Sequence, residues 1–229
     1  MTLNAIQLNK TNMETPKFKE FPKMGRLSRE CIITEKIDGT NASIHITHGN
    51  HREDPFAVAG WMGEDGLDYK ILAGSRTRWI TPDDDNFGFA AWVQKNALDL
   101  RTLGVGTHFG EWWGQGIQRK YGLSEKRLSL FNVTRWCLHG QEPQIIPSQD
   151  PKVVKYQDVL PPCVGLVPVL YQGIFDTARI EATLTYLGAT GSQAAPGFMN
   201  PEGIVVFHTA ANVGFKKTLG NDGNKSIDK

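Results

Sequence analysis

The chain has 229 residues, 40% of them hydrophobic and 21% charged, with 25 Lys+Arg against 24 Asp+Glu and a net charge of +1. That composition excludes a disordered chain, and no window approaches the ~20 consecutive apolar residues of a membrane-spanning helix. The N-terminal MTLNAIQLNKTNMETPKFKEF has no continuous apolar run, so no secretory signal is read; the expectation is a cytoplasmic protein with no membrane partner. Cys31, Cys137 and Cys163 are scattered and form no Cys-x-x-Cys pair, which argues for three reduced thiols rather than a zinc ribbon or disulfide framework.

Short β-branched and aromatic runs separated by Gly, Asp and Asn turns predict antiparallel strands. The first two are Cys31–Lys36 and Asn41–Thr47, joined by Ile37-Asp38-Gly39-Thr40, whose Asp-Gly pair suits a tight reversal. His48–Asp68 is polar and Gly-rich and reads as a surface loop; a strand follows at Lys70–Gly74. A helix is expected from Asp84 or Asp85, carrying Phe89, Trp92, Val93 and Leu98 behind an acidic start. Further strands are expected at Val105–Glu111, Leu128–Leu138 and Val164–Tyr171. A second helix runs from about Asp176 to Leu187, with Ile180, Leu184 and Leu187 on one face and Gly188 as its stop. Strands at Gly203–His208 and Val213–Lys216 precede a tail, Gly220–Lys229, that reads as frayed. Without a regular βαβ rhythm, the pattern is α+β.

The chemistry concentrates at Lys36. A lysine at the end of a strand, just before an Asp-Gly turn, projects from a fixed backbone, as a nucleophilic amine must to line up with an electrophile. Four residues recur by chance, so for Lys36-x-Asp38-Gly39 alone an ordinary hairpin with a snorkelling lysine is the better explanation. Between Glu111 and Arg135 lie Arg119, Lys120, Lys126, Arg127 and Arg135 against Glu111 and Glu125, with Trp112, Trp113 and Tyr121 interleaved. Positive charge among aromatics suits a phosphate-tracking, base-stacking surface, although each tryptophan singly is better read as core. His45, His48 and His51 do not converge on a strand and suggest no metal site. Asp83-Asp84-Asp85 is read as a helix start.

Taken together, the motifs resemble those of the covalent nucleotidyltransferases, and specifically ATP-dependent RNA ligases of the RNA ligase 2 type. Lys36-x-Asp38-Gly39-x-Asn41 is similar to the nucleotidyl-acceptor motif, and Ser75-Arg76 to the short motif after it. His108-Phe109-Gly110-Glu111-Trp112-Trp113-Gly114 with Gly116-Ile117-Gln118 resembles the glutamate motif. Leu130-Phe131-Asn132, Glu202-Gly203-Ile204-Val205-Val206 and Phe215-Lys216-Lys217 complete the order, and Phe21-Pro22-Lys23 has the look of the same subgroup.

The resemblance implies an adenylation domain with two antiparallel sheets flanking a nucleotide cleft and peripheral helices. It also implies a single domain over residues 1–229 without an appended OB-fold. It implies ATP as co-substrate, Mg²⁺, and a lysyl-AMP at Lys36, with Lys216 and Lys217 lowering the proton affinity of the amine. Nucleotide contacts would come from Glu35 (adenine amino group), Asn41, Arg76, Glu111 (ribose), Phe131 (adenine face), Glu202 and Lys216, with Glu202 on the metal. Arg76, Gln118, Arg119, Lys120, Lys126 and Arg127 would face the nucleic acid, an RNA or RNA/DNA duplex with a strand break, bound by a monomer. Gln118 can equally fix its loop, and Asp38 and Asn41 have structural readings of similar weight. Two positions depart from the pattern: Phe207 stands where a lysine is usual, and Lys216-Lys217-Thr218 replaces Lys-x-Lys, leaving Lys217 or Thr218 at the second cation's place. A DNA or mixed-nick ligase, or a non-catalytic nucleic-acid-binding module, are the alternatives.

Overall fold

The computed structural model describes residues 17–21, 24, 26–148, 150 and 152–220. Pro22 and Lys23 of the upstream motif, and the tail beyond Gly220, lie outside them. In chain order the first seven strands are β1 (Glu30–Lys36), β2 (Thr40–His48), β3 (Ala57–Met62), β4 (Asp68–Gly74), β5 (Trp79–Ile80), β6 (Gly106–Gly114) and β7 (Lys126–Leu130). Four two-residue strands follow: β8 (Trp136–Cys137), β9 (Ile145–Ile146), β10 (Lys155–Tyr156) and β11 (Asp158–Val159). The last four are β12 (Val164–Leu166), β13 (Val169–Ile174), β14 (Gly203–His208) and β15 (Val213–Thr218). The helices are α1 (Phe89–Lys95), α2 (Ala97–Leu100) and α3 (Thr177–Thr190). No helix among the described residues is long and apolar enough to cross a membrane.

Two sheets carry the architecture, as the α+β reading requires. One has seven strands, ordered β12-β7-β6-β2-β4-β3 with β5 beside β4; the other has four, ordered β13-β1-β14-β15. Within these two sheets every pairing is antiparallel except β12 with β7.

The expected hairpin between the first two strands is not formed. β1 belongs to the smaller sheet and β2 to the larger, so Ile37–Gly39 carries the chain from one sheet to the other. Gly39 is needed there for space rather than for a left-handed turn. A Cβ on it would lie 2.5 Å from the Trp112 carbonyl oxygen and 2.8 Å from the Trp113 Cβ.

The expected strand Val164–Tyr171 likewise splits. Proline at 168 has no N–H to give a ladder, and the chain changes sheet between β12 and β13. Leu128–Leu138 breaks where the Asn132 side chain accepts the Arg135 N–H at 3.2 Å and folds a turn. The expected loop at His48–Asp68 contains β3, an edge strand whose only buried side chain is Val58; its small residues hid the alternation.

Each sheet buries its outer face under a helix. Phe89, Ala90 and Val93 of α1 pack on Ile44, Ile46 and Ile71 of the larger sheet. Leu184 and Leu187 of α3 pack on Cys31, Ile33, Ile204 and Val206 of the smaller one. A third cluster, Ile37, Trp113, Tyr121, Val167 and Ala195, fills the junction. Helix α1 begins at Phe89, later than expected, yet Asp85 still caps it by accepting the Ala90 and Ala91 N–H groups at 2.8 and 3.0 Å. Asp176 caps α3 through the Ala178 N–H. That helix runs past Gly188 to Thr190, because Gly188 is a point of close packing against Leu219 and not a stop. With both outer faces covered, the inner faces look onto a cleft of about 940 Å³.

Candidate active site

Lys36 ends β1, and strand alternation decides what it meets. Ile32, Thr34, Glu35 and Lys36 all border the cleft, but the Glu35 carboxylate is bonded to the segment after α3, and Cys31 and Ile33 are buried on the α3 side. The Lys36 Nζ lies 2.5 Å from Glu202 Oε1, with side chains 24% and 17% exposed. The second oxygen, Glu202 Oε2, is buried and has no hydrogen-bond partner among the described residues. Register aligns three strands here: Lys36 opposes Gly203, which opposes Thr218, and Thr34 opposes Val205, which opposes Lys216. Lys216 also lines the cleft.

Glu111 enters from the opposite sheet, on β6 beside Asn41 of β2. Its carboxylate accepts the Gly39 N–H at 3.1 Å and Asn41 Nδ2 at 3.4 Å, so it grips the crossing that follows Lys36. Burial pushes its carboxyl up to about 7; the Gly39 N–H and Lys36 pull it back, and Glu202 and Asp38 add to the rise.

Arg76 lines the same cleft from the turn between β4 and β5; it is exposed and makes no hydrogen bond or ion pair among the described residues. Phe131 follows β7 with its ring 43% exposed, its N–H fixed on the Phe109 carbonyl at 3.0 Å. Two further exposed aromatics line the cleft, Phe109 at 62% and Phe207 at 38% exposure. Sequence reasoning assigned Phe109 no role, yet the alternation that turns Glu111 into the cleft turns Phe109 the same way. Phe207, known only as a departure from a pattern, stands two residues beyond Val205 on the same face of β14.

The RNA ligase family model matches residues 29–219, most of the chain and every element of the cleft. The chain belongs to the RNA ligase family. Solved structures similar to it are those of Naegleria gruberi RNA ligase: an apo lysine-to-alanine mutant (16% identity, TM-score 0.48), a lysine-to-alanine mutant with ATP and Mn (16%, 0.48) and a lysine-to-methionine mutant with AMP and Mn (15%, 0.47). In each case the alignment covers 89% of this chain and 57% of that chain, so the chain spans little more than half their length. No curated protein matches it.

Several residues that the ligase pattern nominated stand elsewhere. Glu35 borders the cleft, but the residue is 1% exposed and its carboxylate accepts Ser192 Oγ–H, the Gln193 N–H and the Ala194 N–H at 2.6, 2.7 and 2.9 Å, so it pins the segment after α3. Lys217 opposes the buried Ile204, so it points to the α3 side and pairs with Glu181. Thr218, not Lys217, therefore takes the second place of the terminal motif on the cleft side. The group in contact with Lys36 is the anion Glu202, and of the two lysines expected beside it only Lys216 lines the cleft.

The basic stretch is dispersed in the same way. Arg119 Nε donates to Asp38 at 2.9 Å and its Nη1 to the Asn200 carbonyl at 3.2 Å. Lys126 shares a strand face with Leu128 and Leu130 and donates to the Phe87 carbonyl ahead of α1. Arg127 pairs with Glu125 and lies 5.9 Å from the Trp113 ring centre. Gln118 and Lys120 are exposed and make no side-chain hydrogen bond or ion pair among the described residues. Trp112, Trp113 and Tyr121 are all buried, so none of them offers a stacking face to a base.

Proposed function

We propose that this chain is an ATP-dependent RNA ligase that works through an adenylate carried on Lys36. The observation that carries the reading is the Lys36–Glu202 contact of 2.5 Å, with the partnerless Glu202 Oε2 beside it, in a cleft that also receives Glu111, Lys216, Arg76 and Phe131. In the first step the Lys36 nitrogen attacks the α-phosphorus of ATP; an N–P bond forms and the bond to pyrophosphate breaks. The proton that the ammonium loses has an acceptor in contact, Glu202 Oε1. Lys216 and Arg76 offset negative charge on the phosphates, Phe131 stacks on the adenine, and Glu111 accepts from the ribose hydroxyls. In the second step an oxygen of an RNA 5′-phosphate attacks the AMP phosphorus, and the N–P bond returns its electrons to Lys36. In the third, a 3′-hydroxyl attacks that 5′-phosphorus, AMP leaves, and the hydroxyl proton passes to solvent.

A divalent cation fits Glu202. Its second oxygen is buried without a partner, and a hard cation takes oxygen ligands. No group of three or more His, Cys, Asp or Glu side chains gathers to hold a metal among the described residues, which accords with Mg²⁺ held by one carboxylate, substrate phosphates and water. Bound there, it would supply Lewis-acid charge to the phosphate oxygens.

The test is incubation with ATP labelled at the α-phosphate and Mg²⁺, followed by denaturation. Label should appear on the wild type and vanish in Lys36→Ala. An unlabelled wild type, or label that survives in Lys36→Ala, overturns the reading. Nicked duplexes with RNA or DNA on either side of the break then measure which sugar is required; sealing confined to all-DNA nicks would overturn the RNA assignment.

A further inference from the structure

The loop from β6 to β7 adopts a backbone that its residues do not favour. Gln118, Lys120 and Tyr121 have φ of 42°, 61° and 50°. Non-glycine residues stay in that left-handed region only where their surroundings hold them. The hold here comes from Arg119 and Tyr121. The Arg119 guanidinium donates from Nε to Asp38 Oδ2 at 2.9 Å and from Nη1 to the Asn200 carbonyl at 3.2 Å. The Tyr121 hydroxyl accepts the Asp38 N–H at 2.7 Å, while its ring packs 5.0 Å from Trp113 and 4.7 Å from Phe198.

Asp38 lies two residues after Lys36, and Asn200 two residues before Glu202. One guanidinium therefore ties together the two backbone segments that present the 2.5 Å Lys36–Glu202 pair, although they come from distant parts of the chain. A planar fork with donors at fixed angles suits this task better than an ammonium. An RNA phosphate would have to compete for a guanidinium already engaged twice.

We infer that Arg119 is a positioning residue for adenylate transfer to Lys36, holding the nucleophile and Glu202 at their working separation, rather than an RNA contact. The inference rests on the ligase reading above. Displacement of a nucleophile by about 1 Å costs on the order of 100-fold in rate.

The experiment measures single-turnover labelling of the protein by α-labelled ATP across ATP concentrations, for the wild type, Arg119→Gln, Arg119→Lys and Tyr121→Phe. RNA binding against salt is measured on the same proteins. Arg119→Gln is expected to lower the maximal labelling rate by roughly 10–100-fold, with the half-saturating ATP concentration changed by less than about 3-fold. Arg119→Lys keeps the charge beside Asp38 and recovers part of the rate. Tyr121→Phe keeps the ring packing, strands the Asp38 N–H and falls between. RNA affinity and its salt slope stay at the wild-type values.

A wild-type labelling rate in Arg119→Gln, with RNA affinity lowered and the salt slope reduced by about 1, identifies an RNA contact and overturns the inference. A lowered Tm with the maximal rate of the folded protein intact overturns it too, since Arg119 would then serve stability alone. If Arg119→Gln does not fold, wild-type rates in both Arg119→Lys and Tyr121→Phe overturn it. An unlabelled wild type overturns the ligase reading itself, and the inference with it.

Discussion

Replacing Glu111 with glutamine should make the protein more stable at high pH and leave it nearly unchanged at low pH. Glu111 is 9% exposed, and burial is the largest reason its carboxyl is raised from an ordinary 4.5 to about 7. Between those two values the folded protein keeps a proton that the unfolded chain has released. The stability this group contributes is thus fully present below pH 4.5 and is lost as the pH rises through about 7. At ~1.4 kcal/mol per unit, the interval amounts to ~3 kcal/mol. Glutamine still offers an oxygen to the Gly39 N–H, and Asn41 can rotate its amide to match the new donor. His108, whose proton affinity is lowered chiefly by burial, produces the opposite slope below its ordinary 6.5, but it is present in both proteins and cancels in their difference. Urea unfolding at pH 5 and pH 8 is the assay. Between these pH values the wild type should lose ~2–3 kcal/mol that the variant keeps. An equal difference at both pH values, or a wild type that gains on the variant as the pH rises, would refute the assignment of a strained, buried carboxyl at this position. The same variant should label poorly with ATP, a trade of function against stability expected where a site is held in an unfavourable charge state.

The two adjacent lysines should separate cleanly. Lys216→Ala is expected to slow lysyl-adenylate formation by on the order of 100-fold, as loss of a charge facing the phosphates would. Lys217→Ala, on the far face beside Glu181, should leave the rate within about 2-fold and cost at most ~1 kcal/mol of stability. Glu35→Ala removes the acceptor of the buried Ser192 hydroxyl and of the half-buried Gln193 and Ala194 N–H groups and should cost ~1–3 kcal/mol in urea unfolding. The preference for ATP over GTP in the residual labelling should nevertheless be unchanged; a switch toward GTP would restore Glu35 to the adenine pocket. Phe131→Ala should raise the half-saturating ATP concentration by roughly 5–150-fold, from ~1–3 kcal/mol of lost stacking, and Phe131→Trp should keep wild-type values.

What the sequence disclosed was local, and what it concealed depended on strand faces. The β-branched runs around Ile33 and Ile44 and the apolar stripe of α3 were readable because each follows its own period. Lys36, Glu111, Glu202 and Lys216 were picked out by motif order; Lys36, Glu111 and Lys216 line one cleft, and Glu202 pairs with Lys36. The side chains of Lys217 and Glu35 find partners on the α3 side for one shared reason: each is one step along a strand from Lys216 or Lys36, and a single step reverses the side chain. Once β14–β15 register is known, Lys217 opposing the buried Ile204 settles its direction, but register is not written in a single strand's sequence. The basic stretch misled for another reason. Counting charges treats Arg119, Lys126 and Arg127 as solvated, whereas folding supplies each with a partner far away or just out of pattern, as Asp38 does for Arg119 across 81 positions.

The junction also explains why such dispersed residues hold a common geometry. Both places where the chain changes sheet border the cleft, and hydrogen bonds link each to the functional residues. At Ile37–Gly39, Glu111 grips the Gly39 N–H, so the carboxylate from the larger sheet is bonded to the segment leaving the nucleophile's strand. At Val167–Pro168, the Pro168 carbonyl accepts the Glu35 N–H at 2.9 Å, next to Lys36, while the Val167 N–H donates to the Leu130 carbonyl at 3.1 Å, next to Phe131. The second crossing is thereby fastened to the backbone beside the proposed nucleophile and beside the proposed base-stacking ring. Trp113, Tyr121 and Val167 fill the space between the crossings with apolar contact. A sheet alone fixes residues along one face; joining two sheets through short, hydrogen-bonded crossings fixes residues of both faces relative to each other. Chemistry that needs a lysine from one sheet and a carboxylate from the other is best placed beside such crossings, where the chain itself limits how far the sheets can move apart.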